Sequence, residues 1–340
     1  MKNEYDVIII GGGPGGLAAA EVLSRHRQDV LLIEKNSVIG PKVCGGGLSA
    51  KIADVGIPLS IADGQFSKIK TFFKHKAHWV TSSEPCVATI DRGKLGRMQL
   101  ARLMSSTVEV VTGRLVSHVD SDRITIDGRK IKFHHLIGAD GSLSLVRKYL
   151  RVPTKKFGST FQYRVPRLSH DLELYFDAHR FGSGYGWIMP HRDYTLIGAG
   201  QLADELHGHP LKQTVDTWCR DFSIDLSAGR PEAWIINCDY RGWLFGNIFL
   251  VGDAGGFTPS FTGEGICNAI ITGQEVARRI LDPQYTCPAI NKILNKKFKQ
   301  ERLVNALRHS KNLFNAAVYL ALNFTQNKKL AKRFIDFFLG

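Results

Sequence analysis

Tyr5-Asp6-Val7-Ile8-Ile9-Ile10-Gly11-Gly12-Gly13-Pro14-Gly15-Gly16-Leu17-Ala18-Ala19-Ala20-Glu21-Val22-Leu23 decides the fold. An apolar run of buried-strand length passes through a glycine-rich turn into a strong helix former. Gly11, Gly13 and Gly16 fit G-x-G-x-x-G: the first makes the tight turn, the second lets a pyrophosphate reach the backbone, the third lets helix and strand touch. A diphosphate then sits at the positive end of the helix, with Gly15 in the same loop. A second strand, Val30-Leu31-Leu32-Ile33, ends at Glu34, followed by Lys35. A carboxylate there accepts hydrogen bonds from both hydroxyls of an adenosine ribose and repels a 2′-phosphate. This motif leaves NAD and FAD both open.

Outward from it, 340 residues suggest roughly two domains. The 44% apolar and 22% charged composition is that of a globular chain, which excludes disorder and collagen-like repeats. Six cysteines (Cys44, Cys86, Cys219, Cys238, Cys267, Cys287) form no C-x-x-C pair, which argues against a disulfide scaffold and for a reducing compartment. His134-His135 alternate in a strand pattern, and His75 with His78 and His207 with His209 lack partners at ligand spacing, so no metal site is expected. No apolar run approaches ~18 residues, and Val7–Ile10 runs straight into glycines without a leader-like pattern. The expected location is the cytoplasm, with peripheral membrane contact as an open extension.

The net charge is +14, and nine of it lies in residues 291–340, where eleven Lys/Arg face only Glu301 and Asp336. With the rest near neutral, no nucleic-acid partner is expected. Lys292, Lys296, Lys297, Lys299, Arg302, Arg308, Lys311, Lys328, Lys329, Lys332 and Arg333 are mixed with Phe314–Phe324, Phe334-Ile335 and Phe337-Phe338-Leu339. Such a mixture at helical spacing suits an anionic membrane surface, and also an ordinary helical tail that packs on the body and keeps its lysines in water.

Far downstream stands Asn247-Ile248-Phe249-Leu250-Val251-Gly252-Asp253-Ala254-Gly255-Gly256-Phe257-Thr258-Pro259-Ser260-Phe261-Thr262-Gly263-Glu264-Gly265-Ile266. It reads as a strand, a Gly-Asp and a glycine-rich crossing into a helix on which Ala269, Ile270, Gly273, Val276, Ala277, Ile280 and Leu281 recur at three- and four-residue spacing; Pro283 ends it. For a long ligand, Asp253 can bond a ribitol hydroxyl while the amides of Gly263 to Ile266 (Gly265 included) face a flavin ring, a helix terminus favouring negative charge there.

These two segments resemble the FAD-binding halves of para-hydroxybenzoate-hydroxylase-like flavoproteins, and within them the geranylgeranyl reductase family. Ile137-Gly138-Ala139-Asp140-Gly141-Ser142 resembles the motif whose aspartate, here Asp140, lies near the pyrophosphate. Ile90-Asp91-Arg92-Gly93-Lys94-Leu95 resembles the stretch whose arginine, here Arg92, contacts FAD. Cys44-Gly45-Gly46-Gly47 resembles a loop beside the isoalloxazine, with Cys44, Gly45 and Gly47 as contacts and Gly46 where the family often has an acid. Tyr185-Gly186-Trp187-Ile188-Met189-Pro190 resembles the reductases' Tyr-x-Trp-x-Phe-Pro signature. The resemblance implies FAD as cofactor and hydride transfer to a polyprenyl double bond. Cys44, Tyr185 and Trp187 are the catalytic candidates, the tyrosine hydroxyl free to orient a polar group.

The expected architecture is α/β: a Rossmann-like FAD-binding domain (1–60, 90–152 and 240–282) with an inserted antiparallel-sheet substrate domain (61–89 and 153–239) and a helical C-terminal tail (283–340). In the insert, Leu172, Leu174 and Phe176 alternate with Asp171, Glu173, Tyr175 and Asp177, a half-buried strand pattern, and a helix is expected near Leu211 to Phe222. The substrate is expected to be an apolar small molecule or lipid. Gly182-x-Gly184-x-Gly186 lacks a following helix, so electrons come from transiently bound NAD(P)H or a ferredoxin-like protein. Flavin-dependent halogenases (Trp-x-Trp-x-Ile-Pro) and aromatic monooxygenases are the alternative; Thr262-Gly263-Glu264-Gly265 favours the reductase. A non-catalytic, membrane-associated flavin-binding protein is the alternative of another class.

Overall fold

The structure, a computed structural model, describes all residues except 27, 167–168, 207–208, 326–329, 332–334 and 336–340, and the side chain of Lys51. The expectations placed on His207, Lys328, Lys329, Lys332, Arg333, Phe334 and Phe337-Phe338-Leu339 fall outside the described residues.

The decisive stretch forms a strand, Glu4–Ile10, and a helix, Pro14–Leu23. The strand sits between Val30–Glu34 and Arg129–Gly138, parallel to both, and the layer extends through Glu109–Thr112 on one side and Ile248–Leu250 on the other, again in parallel. Both faces of such a sheet are covered, which is why Val7, Ile8, Ile9 and Leu31 to Ile33 are almost fully buried without alternation. Strand Ile248–Leu250 lies beside Arg129–Gly138, so the downstream Gly-Asp segment returns to the same end of the sheet as the glycine loop.

The helix that follows, Ile266–Leu281, runs backbone to backbone along Pro14–Leu23. A Cβ on Gly273 would lie 2.1 Å from the Gly15 carbonyl oxygen, and one on Gly15 would lie 2.8 Å from the Ala269 oxygen. Glycine at these two places is what lets the helices touch. Thr272 Oγ1 accepts the Gly252 amide at 3.0 Å, locking the helix to the Gly-Asp turn.

A second, seven-stranded sheet runs in the order Arg230–Asn237, Phe157–Pro166, Tyr194–Leu202, Tyr185–Pro190, Glu173–Phe176, Lys68–Phe73, Lys76–Thr81. It is mostly antiparallel, as expected, with one exception: Glu173–Phe176 pairs in parallel with Lys68–Phe73. The two strands lie far apart in sequence, so no hairpin dictates their direction. The half-buried pattern expected for the strand is corrected. Tyr175 is as buried as Phe176, because helix Leu211–Asp221 covers the other face with Leu211, Val215 and Trp218. Tyr175 meets the Trp218 ring at 4.8 Å and stacks on Phe72 at 4.4 Å. A small three-stranded sheet, Gly47–Ser49, Val87–Thr89 and Gly64–Phe66, sits between the two layers.

The chain continues into helices Pro288–Leu307 and Lys311–Phe324. Not every basic residue here faces water. Lys297 is 1% exposed, and its ammonium donates to the Cys238 and Thr258 carbonyls, both at 2.8 Å, and to Glu301 at 2.6 Å. The basic count read it as a solvated charge; three acceptors converging on Nζ draw it inward. Arg308 is pinned to Asp204 and Glu205. Lys297→Met leaves two carbonyls unpaired, and Glu301 without its buried partner. It is expected to cost about 3 kcal/mol, read as a lower midpoint in thermal or urea unfolding.

Candidate active site

Where the edge of the parallel sheet faces the second sheet, one continuous cavity of about 720 Å³ opens, a volume suited to a large small molecule. Its wall at one end is Gly11, Gly13 and Gly15 with Glu34, Lys35 and Arg92. Asp140, Asp253 and the run Gly263–Ile266 follow, and the other end is Cys44, Gly45, Gly47, Tyr185 and Trp187. Of the residues singled out by sequence, Gly16 alone is off the wall. A Cβ there would lie 2.0 Å from the Gly11 carbonyl oxygen, so its work is the turn itself.

The first intrahelical bond of Pro14–Leu23 is Leu17 N to Gly13 O, and that of Ile266–Leu281 is Ala269 N to Gly265 O. The amides of both first turns are therefore outside the helix ladders, and both helices open on the cavity. Glu34, 9% exposed, accepts the Gly12 amide at 2.8 Å and the Asn36 amide at 2.9 Å, which fix its carboxylate at the end of its strand. Asp140 is turned toward the chain. Its oxygens accept Ser144 Oγ at 2.6 Å and the Leu145 amide at 2.7 Å, bracing Ser144, the cap of the short helix Leu145–Tyr149, and that helix's first turn. Burial pushes its carboxyl up from the ordinary value.

Asp253 also lines the cavity. It accepts from Thr258 Oγ1 at 2.8 Å, Lys42 Nζ at 3.1 Å and Ser142 Oγ at 3.2 Å. Burial works against its charge, but the Lys42 ammonium and these hydrogen bonds outweigh it and hold the carboxyl below the usual range. A lowered pKa contributes stability above the unfolded value and loses it as pH falls through the folded one. The stability difference between wild type and Asp253→Asn is therefore expected to be full at neutral pH, to begin to shrink below about pH 4, and to be lost progressively as pH falls through the lower folded value. Unfolding midpoints across a pH series check it.

At the far end, the tyrosine expectation needs correction. The Tyr185 hydroxyl donates to the Thr262 carbonyl at 2.7 Å, so it is committed to the loop before helix Ile266–Leu281, and burial raises its pKa well above the ordinary value. It steadies that loop and keeps its proton. Cys44 Sγ receives the Gly46 amide at 3.4 Å, and the Cys44 carbonyl receives Gln162 Nε2 at 3.4 Å. Gly46 has φ +71, and a Cβ there would lie 2.6 Å from the Ile90 oxygen and 2.7 Å from the His191 ring, so no acidic side chain fits.

His191, 2% exposed, braces this loop: one ring nitrogen lies 3.1 Å from Asp63 Oδ2 and the other 3.1 Å from the Gly45 carbonyl oxygen. Both partners are acceptors, so both bonds form together only when the ring carries two protons. Sequence reading missed Lys42, Gln162 and His191. Lys42 and His191 adjoin the flagged Cys44 and Pro190, a proximity signal that was there to use; Gln162 left none.

The fit of FAD can be judged from the wall itself. Arg92 Nε, Trp187 Nε1, Gln201 Oε1, Trp234 Nε1 and Ser260 Oγ are buried without a partner, and all five residues line this cavity. Buried polar atoms are normally satisfied, so these mark a wall shaped for a ligand with hydrogen-bonding groups along its length. A Cβ on Gly13 or Gly263 would meet nothing within 4 Å, open space beside each helix terminus. An elongated dinucleotide with a pyrophosphate and a polar ring matches both features.

A dinucleotide loop and a Gly-Asp crossing, joined on one cavity that also meets an apolar sheet face, define a flavin-dependent oxidoreductase. Residues 5–206 match the model of the pyridine nucleotide-disulphide oxidoreductases, and the chain belongs to that family. It is 28% identical to digeranylgeranylglycerophospholipid reductase of Methanocella arvoryzae, over 81% of this chain and 76% of that protein. It is 25% identical to the chloroplastic geranylgeranyl diphosphate reductase of Oryza sativa subsp. japonica, over 81% of this chain and 66% of that one, just under two thirds of its length. Among solved structures, a geranylgeranyl bacteriochlorophyll reductase-like protein of Thermoplasma acidophilum superposes with TM-score 0.80 at 18% identity, covering 98% of this chain and 96% of that one. The chain is an FAD-dependent oxidoreductase, similar to geranylgeranyl reductases over four fifths of its length.

Proposed function

We propose that this chain reduces carbon–carbon double bonds of a polyprenyl-type substrate. The observation that carries the reading is the continuity of the cavity. From the Gly263–Ile266 helix terminus it runs without a break onto an apolar face made by Leu172, Leu174, Tyr185, Trp187 and Met189. The relatives' names support the same substrate class. Segments 1–60, 90–152 and 240–282 would hold the cofactor, and 61–89 and 153–239 the substrate.

The glycine loop Gly11–Gly15, Glu34, Asp253 and the Gly263–Ile266 terminus would hold FAD, which, reduced by NAD(P)H or a ferredoxin-like carrier, would supply the hydride for one carbon of the double bond. The chain's residues do the rest. An isolated alkene is a poor electrophile, so proton delivery to the second carbon must be closely coupled to hydride arrival. The thiol of Cys44 on the cavity wall is the group assigned to it, regaining its proton from water afterwards. Tyr185 holds the Thr262 carbonyl and so the loop on which Gly263 and Gly265 lie. Leu172, Leu174 and Met189 exclude water, which preserves cationic character in the substrate.

The test is incubation of the dithionite-reduced holoprotein, under nitrogen, with geranylgeranyl diphosphate and geranylgeranylated glycerol lipids. Mass spectrometry should show each reduced bond adding the mass of one hydrogen molecule. A product carrying an added oxygen atom, formed in air, would replace this reading with that of an aromatic-hydroxylase-type monooxygenase.

A further inference from the structure

Helix Lys311–Phe324 has two apolar faces. Its inner face, Phe314, Val318 and Leu322, is part of the cavity's outer support. Phe314 meets Phe261 with ring centroids 6.1 Å apart, and Val318 and Leu322 join the cluster holding Leu172, Leu174, Tyr185 and Phe261. Those four line the cavity.

Its outer face repeats Leu313, Ala316, Leu320 and Phe324 at three- and four-residue spacing, and Leu313, Leu320 and Phe324 are 52%, 55% and 59% exposed. A surface helix ordinarily turns polar side chains outward, so a large aliphatic and aromatic stripe facing water is a contact surface. The charge on the helix and the one before it is mostly positive, and the acids beside them, Asp204 and Glu205, are paired with Arg308. Lys311 is exposed in its first turn, and the preceding helix, which packs against it, exposes Lys292, Lys299 and Arg302 beside Leu303. The single acid on the two helices, Glu301, is bound to Lys297 and Lys156. Apolar side chains flanked by cations that are unpaired among the described residues, the nearby acids Glu301 and Asp204 being each bound to a base, are complementary to acyl chains beneath anionic headgroups. No helix among the described residues is long and apolar enough to cross a membrane.

We propose that helix Lys311–Phe324 lies on an anionic bilayer, its outer stripe at the acyl boundary and the neighbouring cations at the headgroups. The same helix, backing the apolar wall of the cavity, then sets that wall against the lipid from which a polyprenyl substrate is drawn. This rests on the substrate reading above, and its test separates the two.

The full-length holoprotein is co-sedimented with vesicles of phosphatidylcholine alone and of phosphatidylcholine with phosphatidylglycerol, at low and high potassium chloride. Binding is expected to the anionic vesicles only and to weaken with salt. Leu320→Glu with Phe324→Glu should lower it about tenfold or more, and Lys299→Glu about fivefold. Both positions are exposed, and an unchanged flavin spectrum and melting midpoint confirm the fold of each variant. The double variant should reduce a short, water-soluble prenyl alcohol at the wild-type rate and a vesicle-embedded prenyl lipid more slowly. Vesicle binding without any prenyl turnover leaves the surface standing and removes the substrate reading. No sedimentation with anionic vesicles overturns the proposal. So does binding indifferent to the double change, or a dimer in light scattering that the double change dissolves.

Discussion

A Gly13→Val chain is expected to fold and to purify without flavin. Gly13 caps helix Pro14–Leu23 with φ −75 and ψ 177, extended backbone that any residue adopts. A Cβ there touches nothing within 4 Å, so the protein itself has no objection to a side chain. The space is nevertheless part of the cavity wall at the helix terminus, where valine methyls would hold a pyrophosphate away from the amides. A fall in FAD affinity of about a hundredfold or more, ~3 kcal/mol, is expected, with the melting midpoint of the apoprotein nearly unchanged. Gly16→Val gives the contrasting result. Its Cβ would overlap the Gly11 carbonyl, so that chain should lose its fold along with its colour. Flavin absorbance, FAD titration and thermal unfolding of the two variants read the difference.

Trp187→Phe is expected to stabilise the apoprotein while slowing turnover. Trp187 is 6% exposed, packs near Tyr185 with ring centroids 5.9 Å apart, and buries an indole N–H that has no partner. An unpaired buried donor is a cost to the empty protein, and removing it while keeping an aromatic ring should recover up to about 1 kcal/mol. If that N–H exists to bond a ligand, its loss should lower kcat/KM by about tenfold to a hundredfold, with FAD still bound. A tryptophan that served packing alone would do the opposite, losing stability and leaving kcat/KM in place.

The parts of this molecule legible in sequence are those whose constraint is local. The glycine loop, the acid ending the second strand and the amphipathic helix after Gly265 each follow from spacing within a few residues. So does the helix over Leu211–Asp221, whose Leu211, Val215 and Trp218 face inward as their period requires. What stayed hidden depends on neighbours distant in the chain. Tyr175 looked solvent-facing because the helix that covers it comes some forty residues later. Lys297 looked like one more surface cation until the Cys238 and Thr258 carbonyls, from two other segments, were placed around it. The Tyr185 hydroxyl was left for substrate because nothing near it in sequence announces the Thr262 carbonyl. His191 and Lys42 carry no periodic signature at all. Their roles arise where the Cys44 loop and the Gly-Asp turn meet the second sheet.

Anaerobic stopped-flow spectroscopy tests the central claim most directly. The flavin is reduced beforehand, mixed with a geranylgeranyl compound in the absence of oxygen, and followed by its visible absorbance. The account predicts return of the oxidised spectrum at a rate that rises with prenyl concentration, and a saturated product in matching amount. Reoxidation no faster with any prenyl compound than with buffer would contradict it.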